Sequence, residues 1–166
     1  MSVILSIPVL AFLSILQSAV VSRLPLNQGV ADIMLVFLVA IALQKRVSTA
    51  WQWSIIGGML IDFLSGLPFG IFTISYLIAT ALATLFRDRI WRFTFLIQLL
   101  VVLIGTLVSQ VLSYLVLFLQ GVNLELITVL RVIIMPTIIL NFMLSLPVFI
   151  LTRDILDQIY PQVQNA

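Results

Sequence analysis

Two residue types that carry much of protein chemistry are missing: the 166-residue chain has no Cys and no His. Their absence excludes disulfides, thiol nucleophiles, Ser–His dyads and imidazole-based zinc or haem sites. Charge is scarce as well. Only 8% of the residues are Asp, Glu, Lys or Arg, against about a quarter in an ordinary soluble domain. The net charge of +2 is too small to point to nucleic acid.

What fills the chain instead is apolar side chain, 63% of the residues, with a mean hydropathy of +1.29. A soluble domain of this length could not bury so much apolar surface, so composition predicts an integral membrane protein. The apolar runs are continuous rather than alternating, which predicts helices and not an outer-membrane barrel. The first run has neither a basic segment ahead of it nor a cleavage site, and reads as a retained helix. The expected fold is an all-α bundle of six transmembrane helices, one domain over residues 1–166. The spans fall at about 3–21, 30–43, 49–64, 70–86, 94–119 and 127–152. Asp32 opens the short second span as a first-turn acid, favoured at a helix N-terminus. Pro136 and Pro147 interrupt the sixth. Residues 154–161 read as a fraying helix end along the membrane surface.

Basic residues set the expected orientation. With the N-terminus inside, Lys45, Arg46, Arg87, Arg89, Arg92 and Arg153 are cytoplasmic, and only Arg23 and Arg131 fall outside. That split of six against two places both termini in the cytoplasm. It also puts Trp51, Trp53 and Trp91 at the cytoplasmic interface, as an aromatic belt.

The stretch 57–70 carries the sharpest polar signal, with Asp62 set well inside an apolar run. An ionised Asp at mid-bilayer is disfavoured by roughly 2.5–3.5 kcal/mol, so such an acid is a functional-site candidate by default. It also stands near the negative C-terminal end of its helix. A cation, a hydrogen-bond donor or a proton must compensate it. A plainer reading is that Asp62 ties down the turn formed by Ser65, Gly66, Pro68 and Gly70. Pro68 belongs in that turn or at the first helical position. Arg131 lies at a similar expected depth, and an Asp62–Arg131 pair would neutralise both charges; alternatively Arg131 snorkels to the outer interface.

Small residues recur every four positions on three spans: Ala50, Ser54 and Gly58; Ser75, Ala79 and Ala83; Gly105, Ser109 and Ser113. Such stripes let helix backbones approach closely, within this bundle or against a partner's helix. The other intramembrane polar groups are Gln17, Gln98, Gln110 and Asn141. They read as scattered rather than as a connected pathway. Pro136 and Asn141 are expected to kink and stitch the last helix. Asp62 and Ser65, three residues apart, suit a turn hydrogen bond better than a nucleophile–base pair. No enzyme, cofactor or metal site is expected.

Three places carry a resemblance to the rod shape-determining protein MreD family of bacterial inner membranes. One is Asp32-Ile33-Met34-Leu35 at the opening of a short second span. Another is Gly58, Asp62, Ser65-Gly66, Pro68 and Gly70, similar to that family's third span and its Ser-Gly-x-Pro-x-Gly-like turn. The third is Asn141 followed by Leu146-Pro147 and Arg153. Ala31 departs from the pattern, since the family often has Pro there. The resemblance spans nearly the whole chain. It implies a non-enzymatic subunit of the cell-wall elongation machinery that binds the single-span protein MreC. Through MreC it would work with the MreB filament, RodA and a class-B penicillin-binding protein. The turn 65–70 would then face a periplasmic partner, and Arg87, Arg89 and Arg92 either a cytoplasmic partner or lipid headgroups. MreD-like chains also look similar to the six-span substrate-binding subunits of energy-coupling-factor vitamin transporters. On that alternative, Asp62, Arg131, Asn141 and the outer turn would capture a small molecule.

Overall fold

The computed structural model describes residues 3–19, 28–45, 47–87, 94–123 and 125–159. All the regular structure among them is helical: α1 (Val3–Ala19), α2 (Ile33–Ala42), α3 (Ala50–Ser65), α4 (Ile71–Arg87) and α5 (Thr94–Leu119). A sixth rod combines α6 (Leu126–Val129), a π-helical turn (Leu130–Ile134) and α7 (Met135–Ile159). The boundaries lie within a few residues of those expected from the apolar runs. The last helix is the main difference. It continues through Arg153 and Asp154 to Ile159, and Pro147 sits inside it without ending it.

Helix α2 is the axis. Its sequence IMLVFLVAIA is apolar on every side, so no polar face can point outward. It packs against α1, α3, α4, α5 and α7, and Met34, Leu35, Val36, Leu38, Val39 and Ala40 are fully or almost fully buried. The other helices surround it, with the widest packing between α3 and α4 and between α4 and α5.

The small-residue stripes form these internal faces. A Cβ on Gly58 would lie 2.4 Å from Thr73 Cα, and one on Gly105 would lie 3.0 Å from Ala79 Cβ. Ser54 and Thr80 share a hydrogen bond across the α3–α4 contact. Trp53, expected in an interfacial belt, is instead completely buried. It lies one turn from Ala50 and next to Ser54 on the inward face of α3, where its ring packs against Phe37 at 6.3 Å. Trp51 is exposed, and Trp91 lies outside the described residues.

The π turn has a local cause. Pro136 has no N–H to return to the Val132 carbonyl four residues back, so the α-helical ladder fails there. The carbonyl receives the Gln28 N–H instead, at 3.2 Å. Residues 28–32 thus run extended beside the start of the last helix.

Thr94–Leu119 and Leu126–Leu156 are long and apolar enough to cross a membrane. Large hydrophobic side chains such as Phe12, Phe63, Leu115 and Met143 are exposed, whereas Asp32, Asp62, Gln98 and Asn141 are buried.

Candidate functional site

Ten residues of α-helix rise about 15 Å, roughly half the thickness of a bilayer's hydrocarbon core. The central helix is therefore too short to fill the bundle from end to end. It starts just after Asp32, and the space beyond its N-terminus is the site.

Asp32 is the N-cap of α2 and is buried. Its Oδ1 accepts the Leu35 N–H at 2.9 Å. The Tyr76 hydroxyl, fully buried on α4, donates to the carboxylate and lies 2.8 Å from either oxygen. The positive end of the α2 dipole adds to these donors. These donors stand where a cation would otherwise be needed beside a buried carboxyl group.

The extended segment before Asp32 is held by side chains from both flanks. Gln17 on α1 donates through Nε2 to the Ala31 carbonyl at 2.9 Å and accepts the Ile33 N–H through Oε1 at 2.8 Å. Asn141 on α7 accepts the Asp32 N–H at 2.6 Å. Its Nδ2 donates to Thr106 Oγ1 on α5 at 2.8 Å, and that hydroxyl donates to the Val102 carbonyl at 2.7 Å. Helices α1, α4 and α7 thus bond to this short non-helical segment directly, and α5 supports it through Asn141. Each amide bonded in this way satisfies a backbone group that no helix or sheet ladder reaches.

A cavity of about 370 Å³ opens beyond this joint. Asp32, Thr106, Gln110, Thr137 and Asn141 contribute its polar lining; Ile61, Leu64 and Phe72 contribute apolar surface. Ser18 and Leu64, also among the lining residues, are exposed on the outside of the bundle. Thr137 is 2% exposed, and its hydroxyl has no hydrogen-bond partner among the described residues. Gln17, Gln110 and Asn141, which looked scattered along the chain, therefore converge with Asp32 on one cavity. Gln98 stands apart, donating to the Ser145 carbonyl at 3.0 Å.

Asp62 builds a second joint. From the last turn of α3 it accepts the Gly70 and Thr73 N–H groups on Oδ2, at 3.0 and 3.2 Å. The Phe72 N–H reaches Oδ1 at 2.9 Å and the Thr73 hydroxyl reaches Oδ2 at 2.6 Å. Its charge, unfavourable at the end of its own helix, thereby caps the start of the next. Gly66 and Gly70 adopt φ of 69° and 108°, left-handed values that suit glycine in so tight a connection. Ser65 donates to the Asp62 carbonyl and accepts the Leu67 N–H, both at 3.2 Å. Pro68 is exposed within the turn, ahead of the first residue of α4.

The expected Asp62–Arg131 pair is not the arrangement found. Asp62 is answered by backbone donors and Thr73, while Arg131 is exposed on the π turn. Arg87 reaches the other end of α2, donating to the carbonyls of Ala42 and Gln44 at 3.4 and 3.5 Å. Arg89 and Arg92 lie outside the described residues, as do Arg23 and Arg46.

Sequence reasoning passed over Asp32 as an ordinary first-turn acid and missed Tyr76 and Thr137. The available signal was an acid immediately before ten uniformly apolar residues: a helix buried on all sides has its N-cap buried too. Among the described residues, no three His, Cys, Asp or Glu side chains gather. Comparisons with known protein families, curated proteins and solved structures find no match to this chain.

Proposed function

We propose that this chain is a non-enzymatic membrane scaffold of the bacterial cell-wall elongation machinery, similar to the MreD family. In this reading it is a multi-pass protein of the inner membrane with both termini cytoplasmic. It binds a single-span, MreC-like protein and, through it, MreB, RodA and a class-B penicillin-binding protein.

One observation carries the reading. Several of the residues on which the resemblance rests also fix the chain's own shape. Asp32 caps the central helix, Asn141 ties the segment before it to α7, and Asp62, Ser65, Gly66 and Gly70 lock α3 to α4. Side chains committed to holding backbone suit a rigid docking platform, because a docked helix needs a surface that keeps its form. The exposed apolar flanks of α5 and α7 suit both lipid and a partner's helix. In the proposed orientation the turn 65–70 faces the periplasm, while Lys45, Arg87 and Arg153 lie on the cytoplasmic side.

Purification of the tagged protein from its native membrane in mild detergent tests this reading. A near-equimolar single-span protein with a periplasmic domain is the expected companion. Recovery with paired ATPases and a coupling subunit overturns the scaffold and installs the alternative, a substrate-binding subunit of a small-molecule transporter. The polar-lined cavity of about 370 Å³ favours that second reading.

A further inference from the structure

We propose that the cavity beyond α2 is a binding site for a small neutral molecule with an amide-like hydrogen-bonding edge and a flat apolar face. The proposal does not rest on the scaffold reading: binding is measured on the isolated chain and partners on the purified complex, so either can fail alone.

The first observation is the Thr137 hydroxyl. It is nine-tenths buried or more, belongs to the cavity wall and has no partner among the described residues. A buried hydroxyl without a partner is disfavoured, and a donor or acceptor placed in the cavity would relieve it. Half-buried Gln110 stands on the same cavity with an amide that can both donate and accept. A hydroxyl and an amide presented together match a ligand edge that has one donor and one acceptor, as a carboxamide or a lactam does.

Charge narrows the class further. Among the described residues, Asp32 is the one formally charged side chain in the lining. An anion would face its carboxylate with no cation among the described lining residues to offset the repulsion. A cation is not required, because Leu35 N–H, the Tyr76 hydroxyl and the α2 N-terminus already support the carboxylate. A neutral ligand is the class that this site takes without asking for a further counter-charge. Shape supplies the apolar face: α3 and α4 contribute Ile61, Leu64 and Phe72, while α5 and α7 contribute Gln110, Thr137 and Asn141. A volume of about 370 Å³ falls at the small end of the range for small-molecule sites.

Nicotinamide has this edge and this face, and nicotinate is its anionic counterpart of equal size. The test is saturation-transfer NMR on the full-length protein in detergent micelles, with titration of each compound. Transfer to nicotinamide and none to nicotinate is expected. Thr137→Val removes the hydroxyl at constant shape, and Gln110→Leu removes the amide; each should weaken nicotinamide about fivefold, the equivalent of one net hydrogen bond. Unchanged helical circular dichroism and gel-filtration behaviour identify the folded variants. If Thr137→Val does not fold, Gln110→Leu carries the comparison. Absence of transfer to nicotinamide overturns the proposal, and water then fills the cavity. Equal transfer to both compounds, or unchanged affinity in the folded variants, also overturns it, as partition into the micelle.

Discussion

Among the described residues, Asp32 and Asp62 are the two buried carboxylates, and each one caps the start of a helix, Asp32 that of α2 and Asp62, from the end of α3, that of α4. The consequence at Asp62 can be measured. Asp62→Ala leaves three backbone N–H groups and the Thr73 hydroxyl without their acceptor. The expected loss is about 3 kcal/mol, since unpaired buried donors each carry a penalty. Asp62→Asn keeps one acceptor oxygen, and about 1 kcal/mol is expected. Arg131→Gln, at an exposed position, should stay within about 0.5 kcal/mol of the parent. Equilibrium unfolding in mixed micelles measures all three. The double variant Asp62→Asn/Arg131→Gln should be additive, and a coupling energy beyond about 0.5 kcal/mol would restore the ion pair. At Asp32, Tyr76→Phe withdraws a donor from a buried carboxylate, with an expected loss of about 2 kcal/mol. In Tyr76→Phe/Asp32→Asn the two losses should sum to less than their separate values, because both act on one hydrogen bond. The need of Asp62 for donors was legible from its place in an apolar run just before a turn. Its partner was not. Matching depth suggested Arg131, whereas the Gly66 and Gly70 conformations fold the next helix N-terminus back onto the carboxylate.

At the scale of elements, helix positions were legible because each apolar run is bounded by a polar or glycine-rich connection. The packing of those helices was legible only where it left a mark of size, as at Gly58 and Gly105, which sit at close helix crossings. The central place of α2 was not drawn from its shortness, although an all-apolar helix of ten residues has no face to give to water. Nor was the bond between Asp32 and Asn141, which are 109 positions apart; one sequence contains no record of such a pairing. The extended segment offers a direct check of this joint. A Cβ on Gly29 would lie 2.6 Å from Thr137 N and 2.9 Å from Ile133 O, both backbone atoms of the last helix. Gly29→Ala must therefore push the segment away from α7, and overpacking of this kind costs about 2 kcal/mol. Equilibrium unfolding should register that loss. Gly121→Ala, where φ is 83° but no atom lies within 4 Å of the added Cβ, separates backbone strain from crowding. A smaller loss at Gly121 is expected, about 1 kcal/mol.

For the molecule as a whole, the distribution of polarity bears on how it meets its surroundings. Polar side chains gather at the joints inside an otherwise apolar core, and many further large apolar side chains face outward. Water offers nothing to such a surface, and a bilayer offers contact along the length of α5 and the last helix. Composition made the excess of apolar surface readable before any helix was placed, whereas the expected side of each loop rests on the arginines and lysines alone. The absence of Cys makes that testable with single cysteines in an unaltered background. Lys45, Pro68, Val122 and Asp154 are all exposed and occupy connections or the final helix end. With both termini cytoplasmic, a membrane-impermeant maleimide added to spheroplasts should label Pro68→Cys and Val122→Cys. Lys45→Cys and Asp154→Cys should react only after the membrane is permeabilised. The inverse pattern would reverse the orientation and turn the cavity toward the cytoplasm. Labelling of all four in intact spheroplasts would remove the membrane spans altogether. The pattern also decides the source of any ligand. The cavity lies toward the end of the bundle where α3 hands over to α4, so labelling at Pro68 from outside means that its contents come from the periplasmic face.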